Sequence, residues 1–403
     1  MKRVGVLVGR EKSFPDALIA SVIQRSSGDI HAEFIELGGI RHDHVPHYDL
    51  IIDRISHEVP YYRAAMKRFA IEGVKIINNP FWWSADDKFF NYTLAEKLGV
   101  ATPKTVLLPQ KDYIKGITSD SLRNLEFPLD WDGIIDYVGL PAILKPFDGG
   151  GWKNVSRVNT LEELWKEYDQ TGTLCMTLQQ FIDFDQFVRC YCIGQEEVMI
   201  MPYDPRKPYL SGEQYINDPN YLAPELAARV SNDVRTLCRA LGYDINTVEF
   251  AIKEGIPYAI DFMNPAPDAD LHSVGPFYHK WVTDAVTDLI FKRLSESTPS
   301  PRYRWDPLLA GRDLTTIGEN FTASVNSIAE EVNKIISGPV QEAGEDFASG
   351  VVAIASDAAE SLAQIAGSAA KKRKTPTKAA KKPSKKAEVK RTSAAKQVIK
   401  EKE

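Results

Sequence analysis

The sequence predicts an α/β domain on a parallel sheet, then an α+β region rich in antiparallel strands, and last a disordered basic tail. Three observations carry this expectation. Short apolar strands alternate with helix-length segments over the first hundred residues, a βαβ rhythm. From about Leu140 strands follow one another across short turns. Residues 371–403 are Lys, Ala, Pro, Thr and Ser with scarcely an apolar group, too few to offset the entropy of ordering.

Val4–Val8 is a β-branched run, and Pro15–Gln24 follows with helical spacing and Pro15 near its first turn. His31–Leu37 alternates as a strand, and Tyr48–Asp53 is a second apolar strand. Pro60–Ile71 reads as a helix and Val74–Ile77 as a strand, ended by the Asn78-Asn79-Pro80 break. Ser84 is the expected cap of a helix reaching Leu98, with Gly99 as its stop. Lys104–Leu108, Ala142–Lys145 and Val155–Val158 are strands, and Leu161–Tyr168 is helical. Leu178–Ile182, Phe187–Ile193 and Glu197–Met201 read as antiparallel strands with turns at Asp183–Asp185 and Gly194-Gln195. A helix over Pro224–Leu241 precedes a hairpin, Asn246–Ile252 with Tyr258–Phe262, and Gly275–Leu294 is the last helix of the body. Residues 314–370 suit one or two amphipathic helices, interrupted at Gly338-Pro339.

Of the 403 residues, 43% are apolar and 10% aromatic, enough for a sizeable core. The formal charge of −6 is the difference between a −17 body and a +11 tail, in which fourteen Lys/Arg face three Glu. The tail suits nonspecific nucleic acid held through counterion release, an acidic partner or polyphosphate, or no partner at all. Four cysteines are too few for a disulfide framework. Cys190 and Cys192 point to one face of a strand, as small buried hydrophobes do. Met1–Val6 reads as a strand rather than a signal peptide, and no apolar run approaches membrane-spanning length. A cytoplasmic protein, not a membrane protein, is expected.

Three segments suggest chemistry. In Pro141-Ala-Ile-Leu-Lys145-Pro-Phe-Asp-Gly149-Gly150-Gly151-Trp-Lys-Asn-Val155, a lysine ends a buried strand before a glycine turn. The ammonium is a compact charge for phosphate, and glycines admit close approach of backbone N–H groups. The order of residues is not that of a P-loop. Glu249 in VEFAI, with Asp261 and Asn264 after the hairpin, forms an all-oxygen set suited to Mg²⁺. Gln179–Asp183, followed by Phe187-Val188-Arg189, offers polar main chain to an adenine edge and an arginine to a phosphate.

Seven segments occur in order: INNPFWWSADDK ending at Lys88, GVATPKT, PAILKPFDGGGWKNV, LQQFID, FVRCYCIG, RALGYDINTVEFAI and PYAIDFMNPAPD. Across residues 1–295 the chain thereby resembles the ATP-grasp superfamily, in particular the glutathione synthetase and ribosomal-protein-modifying ligase branch. The resemblance implies an N-terminal pre-ATP-grasp domain (1–83), a two-lobed ATP-grasp fold (84–295), a linker (296–370) and the tail (371–403). It also implies an ADP-forming carboxylate–amine ligase working through an acyl phosphate on small-molecule substrates. The competing readings are a kinase of a small hydroxyl compound and a nucleotide-binding scaffold without catalysis.

By position, the resemblance assigns Lys88 and Lys145 to the phosphates of ATP, Gly149–Gly151 to a lid, and Gln179, Gln180, Phe181, Ile182 and Asp183 to the adenine. Glu249, Asp261 and Asn264 would hold Mg²⁺, as two ions, with Mn²⁺ as a substitute. Arg189, with Lys145, would stabilise the transferring phosphoryl group. Two features depart from the family. Asp261 and Asn264 have two residues between them where one is usual, and Asp stands where Glu is common. A β-bulge would restore that geometry. Gln180 occupies a place that is commonly acidic. Arg54 after the third strand suits a substrate carboxylate or a loop ion pair. Asp268, Asp270 and His272 suit amine recognition or base catalysis, and helix capping accounts for the two acids equally well.

Overall fold

The computed structural model describes residues 1–81, 87–148, 153–207, 214–216, 218 and 220–296. All lie within one compact unit ending at Pro301. The glycine turn, Ser84, nearly all of the linker and the tail fall outside the described residues.

The N-terminal sheet is parallel, in the order β2-β1-β3-β4, from Lys2–Leu7 (β1), Ile30–Phe34 (β2), Leu50–Asp53 (β3) and Lys75–Ile77 (β4). Helices Ser13–Ser26 (α1) and Pro60–Ile71 (α2) make the crossovers that parallel pairing requires. All four residues of β3 are buried, as expected for a central strand of a sheet covered on both faces. Helix Lys88–Lys97 (α3) then leads to the first of two antiparallel sheets. The cap of α3 is Asp87, whose carboxylate accepts from Phe90 N at 2.9 Å, so the helix starts later than Ser84 predicts.

The first antiparallel sheet has the order β5-β8-β6-β7, from Thr105–Leu108 (β5), Ala142–Pro146 (β6), Ser156–Val158 (β7) and Met176–Gln180 (β8). Helices Trp131–Val138 (α4) and Leu161–Asp169 (α5) cover its apolar face, where Leu144, Leu164, Leu178 and Val158 are almost wholly buried. The second sheet has the order β10-β9-β11-β12, from Gln186–Ile193 (β9), Glu197–Pro202 (β10), Ile245–Lys253 (β11) and Ile256–Asp261 (β12). β8 does not pair with β9. The segment predicted to turn between them instead carries the chain from one sheet to the other.

Alternation along β9 and β11 gives the second sheet two different faces. Val188, Cys190, Cys192, Val248 and Phe250 pack against Pro224–Leu241 (α6) and α3. Tyr191, Ile193 and Ile245 face the other way, into a core shared with Val4, Phe14, Leu18 and the last helix, Leu271–Ser295 (α7). Arg189, Thr247 and Glu249 continue that second face, so it turns from apolar to charged along the strands. The last helix begins with one turn at Leu271, is interrupted at Gly275 (φ 76°, ψ 167°), and resumes at Pro276. Only glycine adopts that backbone without strain. No helix among the described residues is long and apolar enough to cross a membrane.

The N-terminal sheet is joined to the second antiparallel sheet by buried polar contacts. Asn78, after β4, donates to Ile245 O (2.7 Å) and Pro265 O (2.9 Å), and accepts from Asp244 N (2.7 Å) and Ile245 N (2.8 Å). Asp270 accepts from Lys12 N, Ser13 Oγ and Phe14 N, while Ser13 Oγ accepts from Leu271 N at 2.8 Å. Each helix start is thus satisfied by a residue from the other.

Candidate functional site

Helix α3 reaches both antiparallel sheets. Lys88 N donates to Phe147 O at 2.8 Å, fixing the first turn to the end of β6. The Lys88 side chain is buried, with Nζ 3.9 Å from Asp261 Oδ1 at the end of β12. Tyr92, one turn later, donates to Ile260 O at 2.6 Å.

Lys145 lies on the polar face of β6. Its Nζ donates to Tyr92 Oη (2.8 Å), Gln179 Oε1 (2.9 Å) and Ile260 O (3.3 Å). Gln179 is held by its own donation to Thr105 Oγ1 at 2.9 Å. All three acceptors of the lysine are neutral. Burial therefore pushes the ammonium pKa down to about 8, against the opposing pull of Asp261 and Glu249.

Across the cleft, Glu249 faces Arg189 on the neighbouring strand and Asp261 on the other side. Arg189 Nε is 3.5 Å from Glu249 Oε1, and Arg189 Nη1 donates to Tyr215 Oη at 3.4 Å. Burial pushes the Glu249 carboxyl up to about 7; Arg189 pulls it down and Asp261 adds to the rise. Burial disfavours the Arg189 charge, yet Tyr215 and Glu249 hold its pKa above the ordinary value.

The register of β11 and β12 slips after the Glu249–Asp261 pair, because Phe250 pairs with Ala259. Ile260 is the extra residue, and this bulge lies immediately before Asp261. Asn264 is oriented by Asn246, whose Oδ1 accepts from Asn264 N at 2.9 Å and whose Nδ2 donates to Phe262 O at 2.8 Å. Asn264 Nδ2 donates to Thr247 Oγ1 at 3.2 Å, which leaves the amide oxygen for another partner.

Gln180 to Asp183 run from β8 toward β9. Gln180 N donates to Lys104 O at 2.8 Å, Phe181 N donates to Pro141 O at 3.3 Å, and the Arg157 guanidinium lies 4.2 Å from the Phe181 ring centre. Ile182 packs beside Phe187, Tyr203 and Ala251.

The four substrate candidates separate. The Arg54 fork is buried and occupied by the Glu11 carboxylate and Pro267 O, with Phe14 beneath it at 5.1 Å. It is a buried ion pair rather than an open carboxylate site. Asp270 is committed to the start of α1; despite burial, the N–H groups of Phe14 and Lys12 and the Ser13 hydroxyl hold its carboxyl below the usual range. Asp268 accepts from Asp270 N at 3.0 Å, and its carbonyl accepts from the Tyr191 hydroxyl. His272 is exposed in the first turn of α7.

Lys88, Lys145, Gln179, Arg189, Glu249 and Asp261 therefore meet around one cleft, while Arg54 and Asp270 serve the join to the N-terminal sheet. Tyr92, Thr247, Asn246 and Tyr215 belong to the site and were not selected from sequence. Only Tyr92 carried a usable signal, since its i+4 spacing from Lys88 puts both on one face of a helix. Among the described residues, no three His, Cys, Asp or Glu side chains gather as a metal-binding group. Glu249 and Asp261 are cross-strand neighbours, and Asn264 follows three residues after Asp261.

No family model matches the chain. The D-alanine–D-alanine ligase of Ralstonia nicotianae is 26% identical over 222 residues, covering 51% of this chain and 64% of the relative. The corresponding ligase of Polynucleobacter asymbioticus is 26% identical over 198 residues, covering 45% and 58%. The chain thus spans less than two thirds of these relatives' length. Among solved structures, the VanG D-Ala:D-Ser ligase of Enterococcus faecalis superposes with a TM-score of 0.51 at 14% identity, over 72% of this chain and 98% of that one.

Proposed function

From its ATP-grasp fold, we propose that this chain is an ATP-dependent carboxylate–amine ligase that forms an amide bond and releases ADP and phosphate. The observation that carries the reading is the convergence of Lys88, Lys145, Arg189, Glu249 and Asp261 from five separate elements on one cleft. The D-alanine–D-alanine ligases to which it is similar support amide formation between two small molecules.

A carboxylate resists attack by an amine until one oxygen becomes a leaving group. Transfer of the γ-phosphoryl group to that oxygen gives an acyl phosphate; the amine attacks its carbon, and phosphate departs. The protein's contribution is mainly placement and neutralisation of charge. Lys88 and Lys145 bind phosphate oxygens from the side of α3 and β6. Arg189 faces the transferring group and offsets charge on the acyl phosphate. Gln179 to Asp183 would border the adenine, and exclusion of water would protect the acyl phosphate from hydrolysis.

The donors fit a hard divalent cation. Glu249 is partly buried with its carboxyl pushed up to about 7, Asp261 adds a second carboxylate, and the Asn264 oxygen is unused by Thr247. Glu249, Asp261 and Asn264 would hold Mg²⁺, as two ions, and the metal would neutralise the polyphosphate.

The test is incubation of the protein with Mg-ATP and pooled cell metabolites, with Asp261→Ala as control, following nucleotides and new masses. ADP together with a condensation product is expected. AMP, or a stable phosphorylated metabolite, would replace the ligase reading with adenylation or kinase chemistry.

A further inference from the structure

Lys145 and Asp261 stand on different sheets, and one hydroxyl connects their surroundings. Tyr92 Oη accepts from Lys145 Nζ at 2.8 Å and donates to Ile260 O at 2.6 Å. Ile260 is the bulged residue of β12, one position before Asp261. The Tyr92 ring lies 5.2 Å from the ammonium and packs edge-on against Phe262 at 5.4 Å. Tyr92 itself is buried on α3, the helix that also carries Lys88.

A lysine ammonium has three N–H donors on a flexible stem. Here two of them make short bonds, to Tyr92 and Gln179, and the third makes the longer 3.3 Å contact with Ile260 O. The short bonds fix the direction of the charge without neutralising it, because both acceptors are uncharged. The long one is the bond most easily exchanged for a phosphate oxygen. Once it is exchanged, Ile260 O still keeps the Tyr92 hydroxyl, so the bulge beside Asp261 retains its anchor.

Building on the ligase reading, we propose that Tyr92 is a positioning residue whose hydroxyl sets the Lys145 ammonium and the Asp261 segment against each other across the cleft. The ring serves the core, and the hydroxyl serves the site. Tyr92→Phe separates the two roles because it keeps the ring.

The experiment measures Mg-ATP binding by calorimetry on the full chain for wild type, Tyr92→Phe, Lys145→Met and the double variant, with thermal unfolding of each. Tyr92→Phe is expected to weaken Mg-ATP about tenfold, the loss of one hydrogen bond to a charged group, while its unfolding midpoint stays near that of wild type. In the Lys145→Met background the same change is expected to cost clearly less than in wild type, because only the anchor to Ile260 O is then lost. Wild-type affinity in Tyr92→Phe, or an undiminished loss in the double variant, would overturn the positioning role and leave the ligase reading intact. Failure of the wild type to bind Mg-ATP would remove both. If Tyr92→Phe does not fold, Gln179→Met examines the other short bond: a similar loss supports the cradle around Lys145, and unchanged affinity overturns it.

Discussion

The two antiparallel sheets present opposite electrostatic problems to the same cleft. On the first, Lys145 is surrounded by neutral oxygens of Tyr92, Gln179 and Ile260, so its charge has no counterpart within hydrogen-bonding distance. On the second, Glu249 and Asp261 crowd together with Arg189 beside them, and the Glu249 carboxyl rises to about 7. The first sheet offers the lysine no anion, and on the second a single arginine faces two carboxylates. On the proposed reading, a polyphosphate carrying a divalent metal would relieve both. Ionisable groups with such perturbed titration more often mark a ligand site than a stabilising feature.

The strongest way to break this comparison is to remove one side at a time. Lys145→Ala and Asp261→Ala are each expected to lower kcat/KM at least about a thousandfold with the fold retained. The two should differ in binding: Lys145→Ala weakens ADP even without metal, whereas Asp261→Ala abolishes only the strengthening that Mg²⁺ provides. Calorimetry with and without Mg²⁺ separates them, and normal turnover in either variant refutes the site assignment.

Asn78→Ala addresses the frame behind the second sheet. It deprives four buried backbone groups of their partner and is expected to cost about 3 kcal/mol or more in denaturant unfolding. A loss near zero would mean that water replaces the amide.

The pH response sharpens the contrast between the sheets. Lys145 loses its proton as the pH rises through about 8, so ADP affinity should fall above that value, by up to about tenfold per unit. Glu249 takes up a proton as the pH falls through about 7. Its folded-state pKa is raised, so this group adds stability to the metal-free protein as the pH drops from about 7 toward 4.5. Mg²⁺ requires the ionised form, and its thermal stabilisation should be larger at pH 8 than at pH 6. Glu249→Gln should remove that pH dependence. The smallest effect is expected for Asp270→Ala, about 1–2 kcal/mol of stability from loss of the cap on α1.

Much of the first sheet and of the strand pattern was legible because local periodicity determines it. The helices Pro60–Ile71 and Pro224–Leu241 match their expected bounds, since a proline starts each and apolar spacing carries it. Cys190 and Cys192 are buried as small hydrophobes on one face of β9. Helix α4 had no sequence expectation, and β8 was read with β9 although they belong to different sheets. Sequence adjacency favours pairing neighbouring strands, but a sheet partner is chosen by the faces that must be buried together.

The sequence by itself determined the types and order of the elements and the residue chemistry of the cleft: two lysines, an arginine, two acids and an amide in a fixed succession. Only the tertiary structure decided which polar residues remained available. Arg54 and Asp270 had the same chemical credentials as Arg189 and Asp261, yet Glu11 fills the first and the start of α1 fills the second. Tyr92, Asn246 and Asn78 looked like ordinary helix, strand and loop residues, and each became a junction between distant segments. The physical reason is that a side chain's donors and acceptors are committed by its neighbours in space, and a one-dimensional pattern does not specify those neighbours.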